Sequence, residues 1–394
     1  MMLLKRSINK IRRILFHFFN QTSLPFKSNR ILIVRLDALG DYILFRNYIR
    51  CIKHAPQFNG YKLTLLGNIG FKDIAEAYDK DVIDEFIWIT PSLIYDINEK
   101  IRLSFAIKKK AFDILINPVH SRVFHTDEFI SQLGAKQKIC SSGDYTNMES
   151  FEELKRSYKF YDSIIDVPGT DYFEYLRNRK FIETLTGQRI DTSLNLPTKS
   201  KLIEKGALQL VIFPGAGQEY RRWGTNLFAT AIDSIMANST FKITVTIAGS
   251  SADSCLATEI ISQSKNKEKI EDKTGKTNLV ELIELINNAD LLISNDTSAI
   301  HIAAGTQTTA ICISNGNHFG RFVPYPLSIA NNIHAFYPSE EFNNKDNYAL
   351  LNDLYKCGSN LNINNVDPII ISNKAISILN NAAKSGADVK IIAN

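Results

Sequence analysis

The stretch Ser294-Asn295-Asp296-Thr297-Ser298-Ala299-Ile300-His301-Ile302-Ala303-Ala304-Gly305 gathers a carboxylate, hydroxyls and an imidazole directly behind an apolar run, residues 289–294. The run reads as a buried parallel strand and the residues after it as the start of a helix. Asp296, Thr297, Ser298 and His301 therefore belong to a strand's carboxyl end and the first turn of a helix. Open α/β sheets bind ligands at such ends, and free backbone N–H groups with the helix dipole favour a phosphate there. Small residues let the phosphate approach, and the Asp can hold a sugar hydroxyl. The plainer alternative is a capped helix with no ligand, since Asp, Thr and Ser are preferred caps.

Two further loops have the same placement. Arg35-Leu36-Asp37-Ala38-Leu39-Gly40-Asp41 follows a compact apolar strand at 30–35 and precedes a helix at 42–52, with Gly40 expected to form the tight turn. A carboxylate from Asp37 or Asp41 can take a proton from an incoming hydroxyl within hydrogen-bond reach, or simply cap the helix. In Phe213-Pro214-Gly215-Ala216-Gly217-Gln218-Glu219-Tyr220-Arg221-Arg222-Trp223, Gly215, Ala216 and Gly217 allow close backbone approach. Arg221 and Arg222 suit bidentate binding of phosphate oxygens, although adjacent surface arginines are often merely solvated. Trp223 reads as helix packing. Neither a dinucleotide G-x-G-x-x-G nor a Walker loop is present.

The elements that position these loops form two alternating series. Strands are expected at 30–35, 62–66, 85–89, 112–116 and 134–140, then a loose polar region at 141–157 and a helix at 171–185. After a polar linker at 186–205, strands follow at 208–213, 242–247, 291–294 and 309–313, with helices at 226–236 and 279–288. Such alternation predicts parallel sheets covered by helices, and a cleft between two halves is where a small-molecule site is expected. The expected divisions are an extension at 1–29, one domain at 30–195, a second at 196–340, and a tail at 341–394. In that tail 343–365 reads as loop, 367–382 as helix and the last dozen residues as frayed.

A hydrophobic content of 44% with 22% charged residues describes a globular chain, and 394 residues suffice for two cores. The net charge of +5 fits anionic small molecules or a membrane surface better than nucleic acid. The five cysteines are scattered without metal or redox spacing and read as reduced thiols of a cytoplasmic protein. Residues 1–19 carry apolar positions at helical spacing with basic residues off that stripe, which reads as a helix resting on anionic lipid or, more plainly, as one that packs on the domain or frays. No apolar run is long enough to span a bilayer.

Taken in order, the three loops resemble the signatures of glycosyltransferase family 9, the heptosyltransferases of lipopolysaccharide core. The shared features are the R-L-x-A-x-G-D turn at 35–41, the P-G-A turn ahead of a basic residue and Trp at 214–223, and the N-D-[ST]…H-x-A-A loop at 295–304. The resemblance runs from about residue 30 to residue 320. It implies an α/β GT-B fold, two Rossmann-like domains with parallel sheets facing a central cleft. It also implies inverting transfer of a sugar, typically heptose from ADP-heptose, to a lipid-linked or envelope saccharide acceptor, at the inner face of the inner membrane. By this analogy Asp41 is the general base, with Asp37 as the other carboxylate of that turn. Arg221 binds the donor phosphates, and Asp296, Thr297, Ser298 and His301 line the diphosphate and sugar. Arginine and helix amides then meet the leaving charge, so no cofactor beyond the nucleotide sugar is implied and a divalent metal is not essential. Ser298 stands where the family usually has Gly, and Asp37 where it often has Gly or Ser; both bear on which sugar is transferred. The other readings are a same-fold transferase acting on capsule, O-antigen or protein, and a non-catalytic sugar-nucleotide-binding protein.

Overall fold

The structure is a computed structural model that describes residues 28–167, 172–200 and 206–392. The basic segment 1–19 and the linker residues 201–205 lie outside the described residues. The described residues divide into two compact units, one of 28–167 with 175–192, the other of 172–174 with 193–200 and 206–392.

The first unit contains β1 (Arg30–Arg35), β2 (Lys62–Asn68), β3 (Glu85–Ile89), β4 (Phe112–Asn117), β5 (Ala135–Ser141) and β6 (Ser163–Ile165), in the spatial order β3-β2-β1-β4-β5-β6. Every pairing is parallel. Its helices are α1 (Leu39–Ile43), α2 (Asn47–Lys53), α3 (Lys72–Tyr78), α4 (Ile97–Lys108), α5 (Phe124–Ser131), α6 (Phe151–Tyr158) and α7 (Glu174–Thr186), the last beginning at the junction of the two units. Central β1 is buried from Ile31 to Arg35, which is why RILIVR reads as one apolar run rather than an alternating one.

The second unit repeats the plan with β7 (Leu208–Phe213), β8 (Ile243–Ile247), β9 (Ile270–Asp272), β10 (Leu291–Asn295), β11 (Ala310–Ile313) and β12 (Ile333–Phe336). Its spatial order is β12-β11-β10-β7-β8-β9, again parallel throughout. Counted from each unit's first strand, both sheets follow the Rossmann order 3-2-1-4-5-6. Its helices are α8 (Thr225–Asn238), α9 (Ser254–Gln263), α10 (Leu279–Asn288), α11 (Ser298–Thr306), α12 (Tyr348–Tyr355) and α13 (Pro368–Ile392). An Asn278–Glu281 capping box starts α10. Ile371, Ala375 and Leu379 form a fully buried stripe of α13, on the helix that packs against α8.

Several expectations need correction. The helix foreseen at 42–52 is two short helices, because the chain tightens between them, with the Phe45 N–H donating to Tyr42 C=O at 3.0 Å. At that junction Tyr42 and Arg46 both bind the buried Asp79 carboxylate. Part of the loose region at 141–157 is α6, whose start is capped by the Ser150 hydroxyl on Glu153 N–H. The loop at 343–365 contains α12, and α13 continues to Ile392 rather than ending at 382. Of the four edge strands only β3 was read from sequence; β6, β9 and β12 escape because they are three or four residues long and carry no fully buried apolar run. Among the described residues no helix is long and apolar enough to cross a membrane.

Candidate functional site

In a sheet of this order the crevice that takes ligands opens where the strand order reverses, between the first and fourth strands. In the second unit that point lies between β7 and β10. Arg221 follows β7 and Asp296 follows β10. Arg221 Nη2 donates to the Asp296 carbonyl oxygen at 2.6 Å and stands 3.3 Å from Asp296 Oδ2. Asp296 is buried and Arg221 half-buried.

Asn295 holds the two loops in register. From the end of β10, fully buried, its Nδ2 donates to Pro214 C=O at 2.7 Å while its Oδ1 accepts from Trp223 N–H at 3.1 Å. One amide thereby grips both ends of the 214–223 loop, which requires a donor and an acceptor in one side chain. Trp223 is buried against Phe228 and donates its indole N–H to Val366 C=O, in keeping with its expected packing role. Arg222 is turned back, its Nε donating to Ala216 C=O at 2.9 Å.

The glycines of this loop differ. Gly215 is buried, and an added Cβ there would lie 2.5 Å from Asp253 Oδ1. Its bareness is required by Asp253, which accepts from Ser250 N–H and Oγ ahead of α9. Gly217 is exposed and a Cβ there meets nothing within 4 Å, so that backbone is open to a ligand.

Thr297, not Asp296, caps α11: its Oγ1 accepts from Ala299 N–H and touches Ser294 Oγ. Asp296 is thereby left to Arg221, with Ser314 Oγ a further 3.5 Å donor. Ser298, half-buried, is the first residue of α11. His301 is buried one turn on, with Nδ1 2.6 Å from the Tyr325 hydroxyl. Burial pushes its pKa down to about 4, against a rise from Asp296, so the imidazole is neutral at ordinary pH.

The buried loop Ser314-Asn315-Gly316-Asn317 at the end of β11 and Tyr325 were missed from sequence. The usable signal was the one that found Asp296, polar residues straight after an apolar strand. Among the described residues no group of three or more His, Cys, Asp or Glu side chains is arranged to hold a metal.

In the first unit the reversal lies between β1 and β4. Arg35 ends β1 fully buried, its Nη2 2.7 Å from Asp37 Oδ2 and 3.0 Å from Asp41 C=O, with its guanidinium over the Phe45 ring. The Asp37 carboxylate is therefore committed to Arg35. Neither aspartate caps α1: the cap is Ala38, with no side-chain bond, and Asp41 lies in the first turn, half-buried. Gly40 is not in a turn ahead of the helix but inside α1. The Arg35 bond to the Asp41 carbonyl, with the 36–38 segment, makes the corner instead.

Residues 154–351, half of the chain, match the family described as glycosyltransferase family 9 (heptosyltransferase). The chain belongs to glycosyltransferase family 9. A curated relative, lipopolysaccharide heptosyltransferase 3 of Escherichia coli K12, is 32% identical over 104 residues, 26% of this chain. That stretch spans only 30% of the relative's length. Among solved structures, a family 9 glycosyl transferase from Veillonella parvula DSM 2008 matches with a TM-score of 0.66 and 16% identity, covering 91% of this chain and all of the other. E. coli ADP-heptose lps heptosyltransferase II matches at 0.65 and 13% identity, over 90% and 99% of the two chains. These likenesses show the fold, the GT-B architecture of this family 9 chain.

Proposed function

We propose that the protein transfers heptose from ADP-heptose to a hydroxyl of a lipopolysaccharide core glycan, with inversion at the anomeric carbon. Family membership supports sugar transfer, and the name of the curated relative supports heptose and lipopolysaccharide. The observation that carries the donor reading is Arg221 clasped to Asp296 at the β7–β10 reversal, beside the Thr297-capped start of α11.

In this reading Arg221 and the first N–H groups of α11 hold the diphosphate and take up the charge that grows on it as the sugar leaves. Asp296, Ser298 and His301 line the diphosphate and sugar, and the open backbone at Gly217 lets the nucleotide approach. Asp41 accepts the proton of the attacking hydroxyl, while Asp37 stays paired with Arg35. The sugar then passes in one displacement to the acceptor oxygen, the proton to Asp41, and ADP departs. The acceptor is lipid-linked and reached from the inner face of the membrane, with residues 1–19 supplying attraction to anionic lipid.

The test is a panel of ADP-, UDP- and GDP-sugars with the purified full chain, read first by thermal shift and then by transfer to core oligosaccharide. Stabilisation selective for ADP-heptose, with a product of inverted anomeric configuration, is expected. No stabilisation by any nucleoside diphosphate sugar would remove the donor site, and stabilisation by UDP- or GDP-sugars alone would change the donor.

A further inference from the structure

His301 and Tyr325 form a buried pair. The Tyr325 ring is held by edge contact with Phe173 at 4.8 Å between centroids, and the imidazole also packs by Phe322. Among the described residues the Tyr325 hydroxyl has no hydrogen-bond partner besides His301 Nδ1, and His301 Nε2 has none. A neutral imidazole carries one proton, and its place follows from the hydroxyl. Were Nδ1–H to donate to the Tyr325 oxygen, the buried O–H would have no acceptor, a desolvated donor left unmade. With the O–H donating to Nδ1, the buried phenol is satisfied and the proton sits on Nε2, whose N–H has no protein acceptor among the described residues and is left for a ligand. Burial keeps the ring neutral and holds the phenol protonated, its pKa well above the ordinary value. The charges that act on the ring are Asp296, Arg221 and Glu174.

We propose that Tyr325 is a positioning residue: its O–H donates to His301 Nδ1, fixes the Nε2–H tautomer, and so offers an N–H to an anionic oxygen of the donor diphosphate beside Arg221. The last clause rests on the donor-site reading above; the tautomer does not. The experiment is a long-range proton–nitrogen correlation spectrum of the full chain with labelled histidine at pH 7.5, His301 being assigned by its loss in His301→Gln. The Nε2–H pattern is expected in the wild type. Tyr325→Phe keeps the ring and its packing but lacks the O–H; it should shift His301 toward Nδ1–H and raise the Kd for ADP about tenfold. An Nδ1–H pattern in the wild type, or an unchanged pattern in Tyr325→Phe, would overturn the assignment. If Tyr325→Phe fails to fold, the wild-type spectrum alone still decides. Failure of the wild type to bind ADP would instead refute the donor site and leave the tautomer result standing.

Discussion

One nitrogen of Arg221 reaches two oxygens of Asp296, the backbone carbonyl at 2.6 Å and carboxylate Oδ2 at 3.3 Å. A single guanidinium thus ties the loop after β7 to the loop after β10. It is pre-organised before any ligand arrives, so little side-chain entropy remains to be lost when a phosphate binds.

Arg221→Ala should raise the Kd for ADP about tenfold or more, because a charge-assisted, partly desolvated contact is lost. Arg221→Lys should recover only part of this, since an ammonium keeps the charge without the fork. Titration calorimetry with ADP checks both; equal affinities across the three proteins would dismiss the assigned role.

Asp41→Asn should abolish transfer while ADP binding stays within about twofold, since the amide cannot take up a proton. Asp37→Asn should behave differently. It strips the fully buried Arg35 of the Asp37 charge, at a cost of about 3 kcal/mol in unfolding free energy. Denaturant melts beside transfer assays separate the two, and normal turnover by Asp41→Asn would move the base elsewhere.

The depressed pKa of His301 predicts a pH dependence of stability. Its folded value, about 4, lies below the ordinary 6.5. Above pH 6.5 both states are neutral and it has no effect. Between 6.5 and 4 the unfolded chain takes up a proton that the folded one refuses, so stability falls as pH drops, by roughly 3 kcal/mol at most. Below 4 the loss levels off. His301→Gln should lack this component, so the difference in urea midpoint between wild type and variant should shrink from pH 7.5 to pH 5. A pH-independent difference would contradict the burial argument.

The two loop glycines should part company. Gly215→Ala forces a Cβ against the Asp253 carboxylate and should cost about 2 kcal/mol. Gly217→Ala meets nothing and should leave the melting temperature unchanged. A change in ADP affinity in Gly217→Ala alone would mark that backbone as the approach to the nucleotide.

Much of the fold was legible because central parallel strands are buried on both faces. RILIVR at β1, LQLVIF at β7 and LLISN at β10 stand out as short apolar runs, and the polar loops behind them fall at strand ends. The break between α1 and α2 was not legible. It depends on Tyr42 and Arg46 reaching Asp79, more than thirty residues away. The α6 helix was hidden by polar composition, and the short α12 by the Asn- and Asp-rich segments on either side of it.

Residue type and order alone determined which loops carry charge and small residues, and that they follow strands, because period and burial are written locally. Which polar group does what was decided only by the tertiary structure. Asp37 and Asp41 look alike in sequence, yet a buried arginine claims the carboxylate of one. Asp296 and Thr297 are both good caps, yet Thr297 takes the helix and Asp296 takes Arg221 from the loop after β7. Gly215 and Gly217 look equally permissive, yet Asp253 fills the space beside one of them. Partners distant in the chain compete for each polar atom, and burial makes every unpaired one costly, so the assignment exists only once the strands are laid side by side.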